Sequence, residues 1–567
     1  MKRLGVLWVF LLLWLGLSGQ DADVFLRVER QCPELPSGLL RAISFSNTQC
    51  HHLTDADYVP EAEDDHAMPR TYGMMGLVKD GKGCFRENLP TVAKLSGLAE
   101  EAILTDPETN VLAYAMALVK VAHAMNLKMD EAEAYVPAIR ELSELPLREA
   151  KDELPMKMML YSVYHQLGAD LRQLFGEDYA TLSASALSFS KDTDYPEAIW
   201  VPAPECNFEE RTKEVSAVVI HYTEGSYAGC IAWFQNCESQ VSAHYVIRSF
   251  DGQVTQMVRE RDKAWHARSA NGYTIGIEHE AYGDIASFFT EAMYVSSSNL
   301  VRDICSRYES IDGHRTFYYD TLDNGLALNT GLHDLGGEGA CIRIRGHQHY
   351  PDQSHSDPGP FWDWNFYYKL INDGTPVTHL GGAEVDQGTL NHENYGNDER
   401  RIWVIESEEG TSIKLSFSMF DLEKDFDFLW IYDGDNVYAP KIGRWNTHSP
   451  GTVISSGNAL CVEFRSDCAT GAGGWKARWQ VSHEGVGETY APGLSIFPNP
   501  AEHQVTVRCP DDGVYRMTVL DLLGHVVSEA EVSGEAEIEI GHWQRGVYVV
   551  RCLRLVDGST FVGRIIH

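Results

Sequence analysis

Gly346-His347-Gln348-His349-Tyr350-Pro351-Asp352-Gln353-Ser354-His355-Ser356-Asp357-Pro358-Gly359-Pro360 is the stretch around which this chain is organised. It sets imidazoles and a carboxylate on one irregular loop, and a loop can fold such groups around a single ion. A further imidazole, His221, ends the apolar run Ala217-Val218-Val219-Ile220, which predicts a buried strand. Zinc takes nitrogen and carboxylate ligands at about 2.0–2.2 Å and, where it is catalytic, keeps one position for water. One ligand at a strand end and two on a distant loop would supply such a site. Taken alone, the loop also reads as a plain turn, because Asp-Pro-Gly-Pro is good turn chemistry.

The intervening chain adds weight. Between His221 and His347 stand Val241-Ser242-Ala243-His244-Tyr245-Val246-Ile247, Asp251-Gly252, Ala264-Trp265-His266-Ala267 and Asn271-Gly272-Tyr273-Thr274-Ile275-Gly276-Ile277-Glu278. This order resembles the type 2 zinc-dependent N-acetylmuramoyl-L-alanine amidases, relatives of the peptidoglycan-recognition proteins, over roughly residues 200–372. The resemblance implies zinc held by His221, His347 and Asp357, and the ten-residue step from His347 to Asp357 equals the family's spacing. It makes Glu278 the catalytic acid/base. Many members carry a Lys two residues before the Asp ligand; here His355 stands there as the oxyanion's partner, and an imidazole can lose its charge near neutral pH. His244, His266 and Asn271 are carried over as substrate-binding candidates, against a structural role for the two histidines. Period-2 alternation puts Ile275 and Ile277 on one strand face and Glu278 and Glu280 on the other, so Glu280 rivals Glu278.

The whole chain has 567 residues, enough for several domains. A net charge of −36 argues against nucleic acid and against anionic membranes as partners. Residues 1–20 carry Lys2-Arg3, the apolar run from Val6 to Leu15 and then small residues, the pattern of a secretory signal. No later run is apolar and long enough to cross a bilayer. Twelve cysteines in an exported chain suit disulfides; the expected pairs are Cys230–Cys237, Cys461–Cys468 and Cys509–Cys552.

Residues 21–190 read as helical, with amphipathic runs from Leu39, over 89–103 and over 110–126, the last opened by Asp106-Pro107. Leu39-Leu40-Arg41-Ala42-Ile43, Tyr72-Gly73-Met74-Met75-Gly76-Leu77 and Asp106-Pro107-Glu108-Thr109-Asn110-Val111 resemble lysozyme-like lytic transglycosylases. That family's catalytic Glu falls at Asn47, and an amide cannot donate the proton that glycoside cleavage needs. The expectation is a domain that at most grips glycan, with Glu61 or Glu63 as remote substitutes for the acid.

After the amidase-like domain, placed at 198–374 and expected to be α/β with a mixed sheet, the chain turns β-rich. Ile413, Leu415, Phe417 and Met419 alternate with polar residues as in a half-buried strand. Over 378–485 the motifs Phe420-Asp421-Leu422-Glu423, Asp427-Phe428-Leu429-Trp430-Ile431-Tyr432-Asp433-Gly434 and Phe464-Arg465-Ser466-Asp467 resemble a CUB domain, a β-sandwich that binds proteins or glycans. That resemblance implies calcium at Glu423, Asp427 and Asp467, against ordinary turn aspartates. Over 490–567, Phe497-Pro498-Asn499-Pro500 and Gly546-Val547-Tyr548 resemble the sorting domain of type IX secretion cargo, a second small β-sandwich. The expected protein is thus multidomain: a helical lysozyme-like domain, an α/β amidase domain and two β-sandwiches. It would be exported by a signal peptide and the type IX machinery to the outer-membrane surface or beyond, with peptidoglycan as its substrate. A non-catalytic peptidoglycan receptor and a bifunctional amidase/lytic transglycosylase are the alternatives. A His-Glu-x-x-His protease is contradicted, since His279-Glu280 has no second His at the required step.

Overall fold

The structure is a computed structural model, and it describes residues 21–58, 67–183, 193–282, 285–318, 335–382, 384–482, 494–499, 501, 503–509, 513–520, 526–543, 545–554 and 560–567. The expected signal segment and Glu61 and Glu63 lie outside these residues. The chain divides into two compact units, one holding residues 1–376, 396–400 and 465–471, the other the remainder.

Helices open the first unit: α1 (Leu39–Thr48), α2 (Pro107–Ala124) and α3 (Glu153–Gln166). Asp106 caps α2, its side chain accepting Thr109 N–H at 2.8 Å with Pro107 at the first turn, as the Asp-Pro signal predicts. The run expected over 89–103 is instead two helices, Asn88–Ser96 and Glu100–Thr105. Gly97 stops the first of them at φ 80°, a left-handed cap that glycine adopts without strain.

A six-stranded mixed sheet follows. Its strands are β1 (Ile199–Trp200), β2 (Ala217–Tyr222), β3 (Tyr245–Ile247), β4 (Val254–Gln256), β5 (Thr274–His279) and β6 (Ile344–Gly346), in the order β6-β2-β5-β3-β4-β1. Only the β3–β4 pair is antiparallel. One face, with Ile275 and Ile277, packs on α5 (Glu291–Arg307) and α6 (Trp364–Ile371). Against the other lies α4 (Tyr227–Phe234), whose Ile231 and Trp233 share one apolar core with Leu40, Ile43 and Met159 of the helical region. The helical and α/β regions are therefore one packed body, stitched by Tyr282 O–H to Asn47 O at 2.9 Å and Gln49 Nε2 to Ser249 Oγ at 2.9 Å.

In the second unit a five-stranded and a four-stranded sheet share a core containing Leu429 and Ile431 from one and Ile413, Leu415 and Trp475 from the other. Burial along Ser412–Asp421 fades from Leu415 to the exposed Met419 because the strand's register shifts between Phe417 and Met419. The C-terminal strands from Ser495 to Ile566 hydrogen-bond into a single seven-stranded sheet. Among the described residues no helix is long and apolar enough to cross a membrane.

The disulfides correct the expected pairing. Cys237 bonds Cys206, and Cys468 bonds Cys341. Cys230 is buried on α4 and Cys461 within the strand Ala459–Arg465, so each is fixed inside an element while its sequence neighbour sits outside it. Cys509 and Cys552 are buried in one core as thiols.

Candidate active site

β2, β5 and β6 run parallel, and their register pairs His221 with Glu278 and Ile220 with Gly346. His347, one residue past β6, thus reaches the same carboxyl edge as His221 and Glu278. Open α/β sheets hold ligands at this edge. The loop after β6 folds back there, with Gln348 N–H donating to Asp357 O at 3.1 Å.

Asp357 lies between the two imidazoles. Its Oδ2 is 2.7 Å from His221 Nδ1 and its Oδ1 is 3.1 Å from His347 Nδ1. His221, His347 and Asp357 are all buried and each offers one ligand atom, these lying within 4.8 Å of one another. The outer nitrogens are engaged elsewhere: His221 Nε2 stands 2.9 Å from His266 Nδ1, and His347 Nε2 stands 2.6 Å from Gln353 Oε1. Such contacts orient ligating imidazoles and fix which nitrogen faces the ion. Burial lowers His221 to about 4 despite the opposing charge of Asp357. For Asp357, burial acts upward, but His347 and His221 outweigh it and hold the carboxyl well below its usual range. A neutral imidazole and an ionised carboxylate are the states that a divalent cation binds. Two imidazoles and one carboxylate in a buried cluster fit zinc.

Glu278 lines the same cavity, of about 310 Å³, with His355, His266 and Asn271. Burial, and then the charges of Asp357 and Glu224, push its carboxyl well above the usual range. Its Oε2 is buried without a hydrogen-bond partner. Glu280 differs: its Oε1 accepts Tyr227 N–H and its Oε2 accepts Ser249 N–H, both at 2.8 Å, so it anchors the first turn of α4. His355 stacks on His347, ring centroids 4.9 Å apart and planes 9° from parallel. Asn271 Oδ1 accepts the N–H groups of His266 and Ala267 at 3.0 and 2.6 Å, which holds the loop carrying His266. His244 does not line the cavity; its Nδ1 accepts Gly276 N–H at 3.0 Å and its Nε2 meets Arg211 at 2.9 Å.

Sequence reasoning missed Gln353, which orients His347, and Cys230 and Met68, which line the cavity. A lone glutamine in a loop carries no motif, and Met68 belongs to a distant region of the chain. The calcium candidates do not line this cavity. Asp427 is buried and its Oδ2 accepts the Tyr395 hydroxyl at 2.5 Å, while Glu423 N–H donates to that hydroxyl at 2.9 Å. Asp467, on the 465–471 stretch of the first unit, accepts Ala469 N–H at 2.9 Å.

Three family models match the chain: N-acetylmuramoyl-L-alanine amidase over residues 211–360, CUB domain over 384–479 and a secretion system C-terminal sorting domain over 495–562. N-acetylmuramoyl-L-alanine amidase A of Achromobacter lyticus is 42% identical over 184 residues, which are 32% of this chain and 97% of that protein. Human cubilin is 33% identical over 119 residues, 19% of this chain and 3% of cubilin. The solved structure of PlyL is 16% identical and matches 28% of this chain and 82% of its own length, at a TM-score of 0.19.

Proposed function

The chain belongs to the N-acetylmuramoyl-L-alanine amidase family, and from that premise we propose that it is an exported zinc amidase of peptidoglycan, cutting between N-acetylmuramic acid and the L-alanine of the stem. One observation carries the reading: the unpartnered, buried Glu278 Oε2 lines the cavity into which His221, His347 and Asp357 converge. Those three residues would hold zinc, which when bound makes a water acidic enough to attack near neutral pH. Glu278 takes the proton from the attacking water and returns it to the departing amine. The new C–O bond forms at the lactyl carbonyl as the C–N bond breaks, leaving a lactyl carboxylate and the free amino group of L-alanine. A carboxyl held above its usual range suits a group that must both accept and give up a proton. His355 donates to the oxyanion from its stack on His347, and His266, through His221, keeps the ligating nitrogen aimed.

The helical region is proposed to hold glycan at most. Asn47 stands where the transglycosylase-like pattern needs an acid; its Nδ2 donates to Met75 O at 2.9 Å, and its backbone carbonyl accepts Tyr282 O–H. Residues 495–562 match a secretion sorting domain, which supports export by the type IX route. The signal segment at 1–20, and calcium at Glu423, Asp427 and Asp467 of the CUB-matching stretch, complete the proposal.

Purified peptidoglycan digested with zinc-loaded protein, beside a chelated control, tests it by mass spectrometry. The expected products are stem peptides beginning at L-alanine, absent after chelation. No released peptides would favour the receptor reading, and 1,6-anhydro-muramyl products would make the helical region an active transglycosylase.

A further inference from the structure

We infer that the helical region supplies a wall of the amidase's substrate cleft, with Met68 as a residue that sets substrate affinity. The inference rests on the amidase reading of the cavity. The Achromobacter relative is matched along 97% of its length by 184 residues of this chain, which leaves it no room for a helical region beside an amidase domain. The helical region is therefore an addition to a domain that has its ligands and acid/base already, and the structure puts part of that addition at the cleft.

Ala67 and Met68 line the cavity together with His221 and Glu278. Lys82 Nζ fixes their approach by donating to Ala67 O at 2.9 Å. The Met68 side chain packs on the core that the helices share with α4, and its methyl end lies over Gly225, in the turn after His221's strand. A Cβ at Gly225 would fall 1.6 Å from Met68 Cε, so the thioether occupies space that only glycine leaves open. That turn is itself held, Gly225 N–H donating to Ala281 O at 3.2 Å and Thr223 O–H to Gly225 O at 2.6 Å.

The substrate offers matching chemistry. A muramyl–L-alanyl bond is flanked by the lactyl and alanyl methyl groups, and a polarizable thioether packs well against such small apolar groups. The Met68 thioether cannot donate or accept a proton in the reaction, so it acts on binding in ground and transition state alike. Loss of such an interaction raises KM and leaves kcat in place.

The test uses the full zinc-loaded chain and soluble N-acetylmuramyl-L-alanyl-D-isoglutamine. Met68→Ala is expected to raise KM about tenfold with kcat within about twofold, while Met68→Leu stays near the parent. Gly225→Ala, by displacing Met68, should raise KM similarly, and the Met68→Ala/Gly225→Ala pair should do no worse than Met68→Ala alone. Calorimetric Kd values for the same ligand, measured in the Glu278→Gln background, should follow the KM changes, which separates binding from misfolding. An unchanged KM and Kd in Met68→Ala, or additive effects of the two substitutions, overturns the inference. If the parent protein releases no L-alanyl dipeptide at all, the amidase reading itself has failed instead.

Discussion

The carboxyl edge of the sheet and the helix α1 belong to one packed body, and each buries a side-chain oxygen without a hydrogen-bond partner, Glu278 Oε2 at the edge and Asn47 Oδ1 on α1; they differ in charge and in what lies beside that oxygen. At the sheet edge His221, His347 and Asp357 are held close together, and Glu278 Oε2 is buried with no partner, next to a cavity. On α1 the position that the proposed transglycosylase-like reading gives to an acid holds the uncharged Asn47, roofed by Met75 and by Tyr282 from the α/β region. Folding tolerates an unpartnered buried carboxylate only at a cost, and such groups gather where chemistry needs them. What separates the two regions is therefore an ionisable group beside a cavity: Glu278 lines one and can exchange a proton, whereas Asn47 is an amide that does not line it.

The largest test of that contrast compares two carboxylates at one strand end, Glu278 within β5 and Glu280 just past it. Glu278→Gln should lower kcat by about 10²–10⁴-fold, the usual worth of a general acid/base, with zinc content and thermal midpoint retained. Glu280→Gln weakens the bonds to Tyr227 and Ser249 N–H and should act mainly on stability, by about 1–3 kcal/mol. Steady-state kinetics on muramyl peptides beside thermal unfolding reads both. Loss of turnover in Glu280→Gln with Glu278→Gln still active would exchange their roles.

Asn47→Glu tests the other side. The longer carboxylate must enter a space bounded by Gly76, where a glycine Cβ would already lie 2.8 Å from Asn47 Cβ. Crowding and the burial of charge together should cost about 2–4 kcal/mol, and no 1,6-anhydro-muramyl product should appear. A stable variant that cleaves glycan would show that α1 still borders a working cleft and that the contrast is one of residue identity alone.

The sheet-edge site was legible in the sequence because its parts are tied to periodic elements. An apolar run ending in His221 reads as a strand, alternation through Ile275 and Ile277 fixes the face of Glu278, and the His347–Asp357 loop carries its own spacing. Parallel register then turns three separate motifs into one edge. Alternation alone could not separate Glu278 from Glu280, since what divides them is which backbone N–H groups come near. Cysteine spacing misled for the same reason: Cys206–Cys237 and Cys341–Cys468 join elements brought together by tertiary packing. The shared core of helical and α/β regions, with Met68 at the cleft, rests on contacts between residues far apart in the chain, and these leave no local pattern.

Glu144 sharpens the contrast at the smallest scale. It is the helical region's own buried carboxylate with a raised pKa, caused chiefly by burial and only partly offset by Ser143 O–H and Arg86. It does not line the amidase cavity. A folded-state pKa above the unfolded value of about 4.3 means that its neutral form contributes stability fully below that pH, a contribution lost as pH rises through the folded pKa. Glutamine stays neutral throughout. Glu144→Gln should therefore gain stability relative to the parent between pH 4 and pH 8, by an amount on the order of 1 kcal/mol, with amidase kinetics unchanged. Thermal midpoints of both proteins across that range decide it. A constant difference would mean that Glu144 ionises freely in place, and altered turnover would mean that a buried carboxylate outside the cavity still reaches the chemistry.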